Sequence, residues 1–216
     1  MNFKIANLEI GPDKNPLIIS EIGINHNGNL DMAISIVDSA IKSGAEIIKH
    51  QTHIPDEEMS IEARKIKPGN SNQSIYKIIK KSSLSEKSEE KLMKYIKSRK
   101  KIFISTPFSK AAVDRLVKFN VPAFKIGSGE WNNLELISYI CKFKKPIIMS
   151  TGMSHLNELK KVVNFINNRK IPLALMHCTN VYPTPLEKSR LNSISIMQKT
   201  FKRNIIGYSD HTVGLQ

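Results

Sequence analysis

The stretch AFKIGSGE, residues 123–130, sets an apolar, partly β-branched run against a sudden polar turn. Such a run, bounded by glycine, reads as a buried strand. Side chains alternate across a strand, so Lys125 faces the side opposite Phe124 and Ile126. If the apolar pair packs under helices, the lysine points to the other face of the sheet. Six other stretches have the same build: PLIISEI (16–22), AEIIKHQ (45–51), KIFIST (101–106), PIIMST (146–151), PLALMHC (172–178) and NIIGYS (204–209).

Helical spacing fills most of the intervals. Leu30, Ala33, Ile34, Val37 and Ile41 mark an amphipathic helix over 30–44 that stops at Gly44, and 155–170 and 185–201 follow the same pattern. Strand followed by helix, repeated, predicts right-handed βαβ units and a parallel sheet. The interval between the second and third strands is about twice the others. It holds the polar segment HIPDEEMSIEARKIKPGNSNQ and then extra helix. Long inserts of this kind are often functional, and this one is expected to lie over the mouth of a site.

Open doubly wound sheets and closed barrels share this rhythm, and the strand ends separate them. An open sheet gathers its chemistry at one switch point, whereas a (β/α)8 barrel draws it from the carboxyl ends of many strands. Nearly every strand here runs into polar residues: Glu21, Lys49 with Gln51, Ser105-Thr106, Lys125 with Ser128-Gly129-Glu130, Ser150-Thr151-Gly152, His177 to Asn180, and Ser209-Asp210-His211. The expected fold is therefore α/β, a (β/α)8 TIM-type barrel truncated after its seventh strand. The whole chain, 1–216, is expected to be that one incomplete catalytic domain. An open-edged sheet of this kind predicts association, and no turnover, for residues 1–216 alone.

Composition narrows the function. A hydrophobic fraction of 40% excludes a disordered chain, and two cysteines, Cys141 and Cys178, are too few for a disulfide framework and point to a reducing, cytoplasmic setting. No apolar stretch approaches the length of a membrane span, so no membrane partner is expected. The net charge of +14 invites a nucleic-acid partner. That partner is not expected, because the lysines are scattered over solvated helix faces and no aromatic residues interleave with them.

Lys49 and Lys125 hold corresponding places in two strands. Each alone has a plain alternative as a snorkelling or edge lysine. Together they favour a site for phosphate or carboxylate, which would offset their desolvation. SGE (128–130) is expected to open a helix whose N-terminal amides suit an anion. Five of the six histidines lie at or just past strand ends, without the spacing of a metal site. Cys178 reads as structural.

EIGINHNG (21–28), IKHQT (48–52), STPF (105–108), KIGSGE (125–130), STGM (150–153), HCTNVYPTP (177–185) and GYSDHTVG (207–214) occur in this order. Jointly the set resembles the bacterial N-acetylneuraminate (sialic acid) synthases and their legionaminate and pseudaminate relatives, with EIGINHNG and KIGSGE nearer the first two branches. The resemblance implies condensation of phosphoenolpyruvate with N-acetylmannosamine or a related acetamido sugar, with water, to give a 2-keto sugar acid and phosphate. It implies a divalent metal, Mn²⁺ or Mg²⁺, and a homodimer in the full-length form. It implies catalytic roles for Glu21, Lys49, Lys125 and Glu130, binding roles for Gln51, Thr106, Ser128, Asn180, Tyr182 and Asp210, and metal ligation by His211. It also implies an eighth strand and a small antifreeze-like C-terminal domain, neither of them in this sequence. A Schiff-base barrel aldolase using Lys49 or Lys125, and an inactive remnant that only binds anions, are the alternatives.

Overall fold

The computed structural model describes residues 2–69 and 71–214. The chain divides into two compact units, Leu17–Pro122, and Met1–Pro16 together with Ala123–Gln216. The second unit begins with a hairpin absent from the sequence expectations. Strands β1 (Phe3–Ile5) and β2 (Leu8–Ile10) pair antiparallel, with Phe3 opposite Ile10. The signal was there to read: apolar and charged residues alternate on both sides of the two-residue turn Ala6-Asn7. Ala6 has φ 52°, the left-handed conformation that tight hairpin turns use. Ile5 is fully buried.

In Leu17–Pro122, strands β3 (Ile19–Gly23), β4 (Ile47–Thr52) and β5 (Ile102–Pro107) lie side by side in chain order, all parallel. Helix α1 (Leu30–Lys42) links β3 to β4. It starts where Asn29 accepts from the Met32 amide and buries Ala33 and Val37. The long interval folds as a short helix α2 (Pro55–Glu58), a 3₁₀ turn at Ala63–Lys65, α3 (Ile75–Ser82) and α4 (Glu86–Ser98). Ser74 and Ser85 cap α3 and α4, and Ser109 caps α5 (Lys110–Lys118).

In the second unit, β6 (Phe124–Ile126), β7 (Ile147–Ser150), β8 (Leu173–His177) and β9 (Ile205–Tyr208) are again parallel neighbours in chain order. All seven expected parallel strands are present. Helix α6 (Leu134–Cys141) does not start at the SGE motif as expected. Residues 127–130 close a turn, in which the Glu130 amide donates to the Gly127 carbonyl, and Asn133 is the helix cap. Helix α7 (Leu156–Asn167) matches its expected span. The helix expected over 185–201 breaks into a 3₁₀ turn at Leu186–Lys188 and α8 (Asn192–Thr200), with Arg190 between them at φ 51°. Every residue of β7 is buried, whereas all four of β9 are half-buried. Among the described residues no helix is long and apolar enough to cross a membrane.

The face of β4 turned away from Lys49 is not uniformly apolar. It carries His50 and Thr52, both buried. The Gly28 amide donates to His26 Nδ1, so the His26 proton sits on Nε2, 3.1 Å from His50 Nε2. His50 then donates from Nδ1 to Glu89 of α4, 3.1 Å away. Thr52 also donates to Glu89, Arg115 of α5 reaches its second oxygen at 3.0 Å, and Thr52 and Ser105 share a bond of 2.7 Å. Each contact in this chain pairs a donor with an acceptor, and Arg115 balances the carboxylate. Burial works against the Glu89 carboxylate, but the bonds from His50, Thr52 and Arg115 outweigh it and hold the group below its ordinary range.

Burial, reinforced by repulsion from His50, lowers the pKa of His26 from 6.5 to about 4. The unfolded chain protonates this histidine near 6.5 and the folded chain only near 4, so between those values the unfolded chain holds more protons. Stability is therefore expected to fall on acidification through this window. Urea unfolding at a series of pH values should show that slope, and His26→Gln should flatten it. An unchanged slope would remove His26 from the acid response.

Candidate active site

Register fixes which side chains share a face. Glu21 lies opposite Lys49, Lys49 opposite Ile104, and Gln51 opposite Thr106, so Glu21, Lys49, Gln51 and Thr106 stand on one face of the β3-β4-β5 sheet at its carboxyl end. Lys49 is only 3% exposed. Its ammonium is 3.1 Å from Glu21, whose side chain is 45% exposed. The Thr106 hydroxyl is buried and makes no hydrogen bond with any described residue. A buried polar atom without a partner costs on the order of 1–3 kcal/mol, and a ligand is one means of satisfying it.

The second unit carries the other lysine. Lys125 is 4% exposed, as expected for a residue facing away from Phe124 and Ile126. Its ammonium donates to the Ser150 hydroxyl and to the Ile126 carbonyl. Ser128 and Cys178 are 3.1 Å apart through their side-chain oxygen and sulfur, and Asn180 lies beside the same sulfur. Glu130 accepts from Asn133, the cap of α6, at 2.8 Å. A cavity of about 700 Å³ opens at the carboxyl ends of β7 and β8, lined among others by Thr151, Gly152, His177, Cys178, Asn180 and Lys188.

His211 is held on two sides. Its Nδ1 donates to the Thr179 carbonyl at 2.7 Å, which leaves the lone pair on Nε2, 3.1 Å from the Tyr182 hydroxyl. An imidazole anchored through one nitrogen to a backbone carbonyl is oriented as metal-ligating histidines are. Among the described residues, however, no group of three or more His, Cys, Asp or Glu is arranged to hold a metal. Tyr182 is 72% exposed, and its ring centroid lies 4.1 Å from that of His211 with the planes tilted by 30°. Asp210 folds back on its own loop. The amide and hydroxyl of Thr212 and the hydroxyl of Tyr208 bond its carboxylate, and the Thr212 amide above all keeps it below its usual range.

The expected site residues thus assemble as two sets. Glu21, Lys49, Gln51 and Thr106 share one face in the first unit. In the second unit, Ser128 and Asn180 cluster at Cys178, and Tyr182 meets His211. Sequence reasoning passed over Gly152 as part of a weak motif. A side chain there would run into Asn180 and Ser128, so the glycine makes room for both. Gly152→Ala is expected to destabilise the fold by about 1–3 kcal/mol through overpacking. Gly129→Ala, whose added carbon meets open space, is expected to change it by less than about 0.5 kcal/mol. Equal effects in chemical denaturation would contradict this packing role.

The profile of the NeuB family matches residues 36–216. An uncharacterized protein of Methanocaldococcus jannaschii is 38% identical over 215 residues, covering 99% of this chain and 60% of that protein. An N,N'-diacetyllegionaminic acid synthase of Campylobacter jejuni is 35% identical over 209 residues, covering 94% of this chain and 62% of that enzyme. The chain therefore spans about 60% of the length of these relatives. The crystal structure of the N-acetylneuraminic acid (sialic acid) synthetase of Leptospira borgpetersenii matches with a TM-score of 0.89 at 25% identity, over 100% of this chain and 72% of that one. The fold is accordingly α/β, a TIM-type barrel carried through its seventh strand. The profile match, the sequence relatives and the shared fold agree, and the chain belongs to the NeuB family.

Proposed function

We propose that this chain is the catalytic barrel portion of a synthase that joins phosphoenolpyruvate to N-acetylmannosamine or a related acetamido sugar. The products are N-acetylneuraminate, or legionaminate, and inorganic phosphate. The observation that carries this reading is that Lys49 and Lys125 are each buried within a strand, Lys49 beside Glu21 and Lys125 beside Ser150. Phosphoenolpyruvate carries a phosphate and a carboxylate, anionic groups that suit buried ammonium groups. The unpartnered Thr106 hydroxyl and the Gln51 amide add hydrogen-bonding capacity on the Lys49 face.

The chemistry balances as follows. C3 of phosphoenolpyruvate attacks the sugar aldehyde, a C–C bond forms, and the aldehyde oxygen takes a proton. Water adds to the cationic C2 and loses a proton. The tetrahedral centre then breaks its bond to the phosphate-bearing oxygen, phosphate departs with that oxygen, and the C2 hydroxyl gives up its proton to become the ketone. Binding of the substrate's anionic groups is the role the family resemblance gives Lys49 and Lys125, and a buried ammonium group suits it. Glu21, beside Lys49 and partly open to solvent, stands where a carboxylate can move a proton. A divalent metal, Mn²⁺ or Mg²⁺, would supply polarisation of the aldehyde, with His211 Nε2 as one donor. An ammonium paired to a carboxylate, as Lys49 is, suits anion binding better than imine formation, which disfavours Lys49 as a Schiff-base nucleophile.

Phosphoenolpyruvate labelled with ¹⁸O at its bridging position tests this in the protein carrying this chain at the family's full length. Phosphate release should require an acetamido sugar, and the label should leave with phosphate. Label retained in the keto acid, or release independent of the sugar, would defeat the proposal.

A further inference from the structure

Gln51 does not stand alone at the end of β4. The strand continues into His53, which is 8% exposed, and its ring stacks on Phe108 with centroids 4.1 Å apart and planes 10° from parallel. His53 Nδ1 lies 3.0 Å from both carboxylate oxygens of Glu58, whose side chain is 4% exposed. His53 Nε2 lies 3.3 Å from Gln51 Oε1. Glu58 ends the short helix α2, so the insert that follows β4 folds back on the strand through this contact.

We propose that His53, held by Glu58, is a positioning residue that turns the Gln51 amide so that its NH₂ group serves the anionic substrate. Both ring nitrogens of His53 face oxygen atoms, Nδ1 the Glu58 carboxyl group and Nε2 the Gln51 carbonyl, so a proton lies in each contact and Nε2 donates to Gln51. The Glu58 contact and the Phe108 stack together fix the ring. With its oxygen engaged, Gln51 is left with two N–H donors on the face it shares with Lys49 and Thr106. A ring donating from Nδ1 alone would require Gln51 to reverse, which presents an amide oxygen to an anion and repels it. The Glu58–His53 pair thereby selects the donor end of the amide.

This inference rests on the proposed phosphoenolpyruvate site, and a double-mutant cycle separates the two. Phosphoenolpyruvate is titrated calorimetrically into the parent protein, His53→Asn, Gln51→Ala and the double variant. A charge-assisted bond corresponds to about a tenfold change in affinity, so His53→Asn should weaken binding about tenfold. It should have little further effect once Gln51 is alanine. Glu58→Gln, a gentler change, should weaken binding in the same direction and likewise only when Gln51 is present. Equal losses with and without Gln51 would overturn the positioning role, as would unchanged affinity in both His53→Asn and Glu58→Gln. If the parent protein does not bind phosphoenolpyruvate at all, the proposed site fails, and this inference with it.

Discussion

An ammonium group inside a protein must be compensated, and two of them shape this chain. Burying an isolated charge costs several kcal/mol even after relaxation, so a lysine in the middle of an apolar strand is tolerated only beside groups that solvate it. Lys49 has Glu21, delivered from the neighbouring strand by register alone. Lys125 has the Ser150 hydroxyl, one strand over, and the Ile126 carbonyl. Strand alternation turns Lys125 away from Phe124 and Ile126, and Lys49 away from Ile48 and His50.

The opposite face of β4 solves a different problem by the same means. His50 and Thr52 are buried there, and α4 supplies Glu89 to meet them. Glu89 occupies the same helical face as Leu92, Met93 and Ile96, so a carboxylate stands where packing would ordinarily call for an aliphatic residue. Once placed, it must be fully bonded, and His50, Thr52 and Arg115 bond it. The network ties α4 and α5 to the strand whose other face carries Lys49. Stability and the Lys49 face are coupled through one strand, which explains why polar residues crowd the segment IIKHQT.

Much of this was legible in the residues. The seven parallel strands were marked by short apolar runs and abrupt polar ends, and period-two alternation placed both lysines correctly. The hairpin at Phe3–Ile10 escaped notice because each strand is three residues long and its turn, Ala6-Asn7, lacks the glycine that usually announces one. The start of α6 was misjudged because Ser128 resembles a helix cap, while the chain closes a turn first and caps at Asn133. His53 and Glu58 were invisible for another reason. Their meaning lies in the fold-back of α2 onto β4, a contact that neither hydrophobic periodicity nor motif spacing encodes. The resemblance to sialic acid synthases identified Gln51 and Thr106, but only the structure showed that one is held from behind and the other has no partner.

The central claim is that phosphoenolpyruvate binding depends on both Lys49 and Lys125. Calorimetric titration of that ligand into the protein carrying this chain at the family's full length, and into its Lys49→Met and Lys125→Met variants, tests it most directly. Each substitution removes charge-assisted hydrogen bonds worth about 1.5–3 kcal/mol, so each should weaken binding by at least about tenfold. Methionine keeps the apolar stem, so both variants should stay folded. Affinity equal to the parent's in both variants would contradict the account.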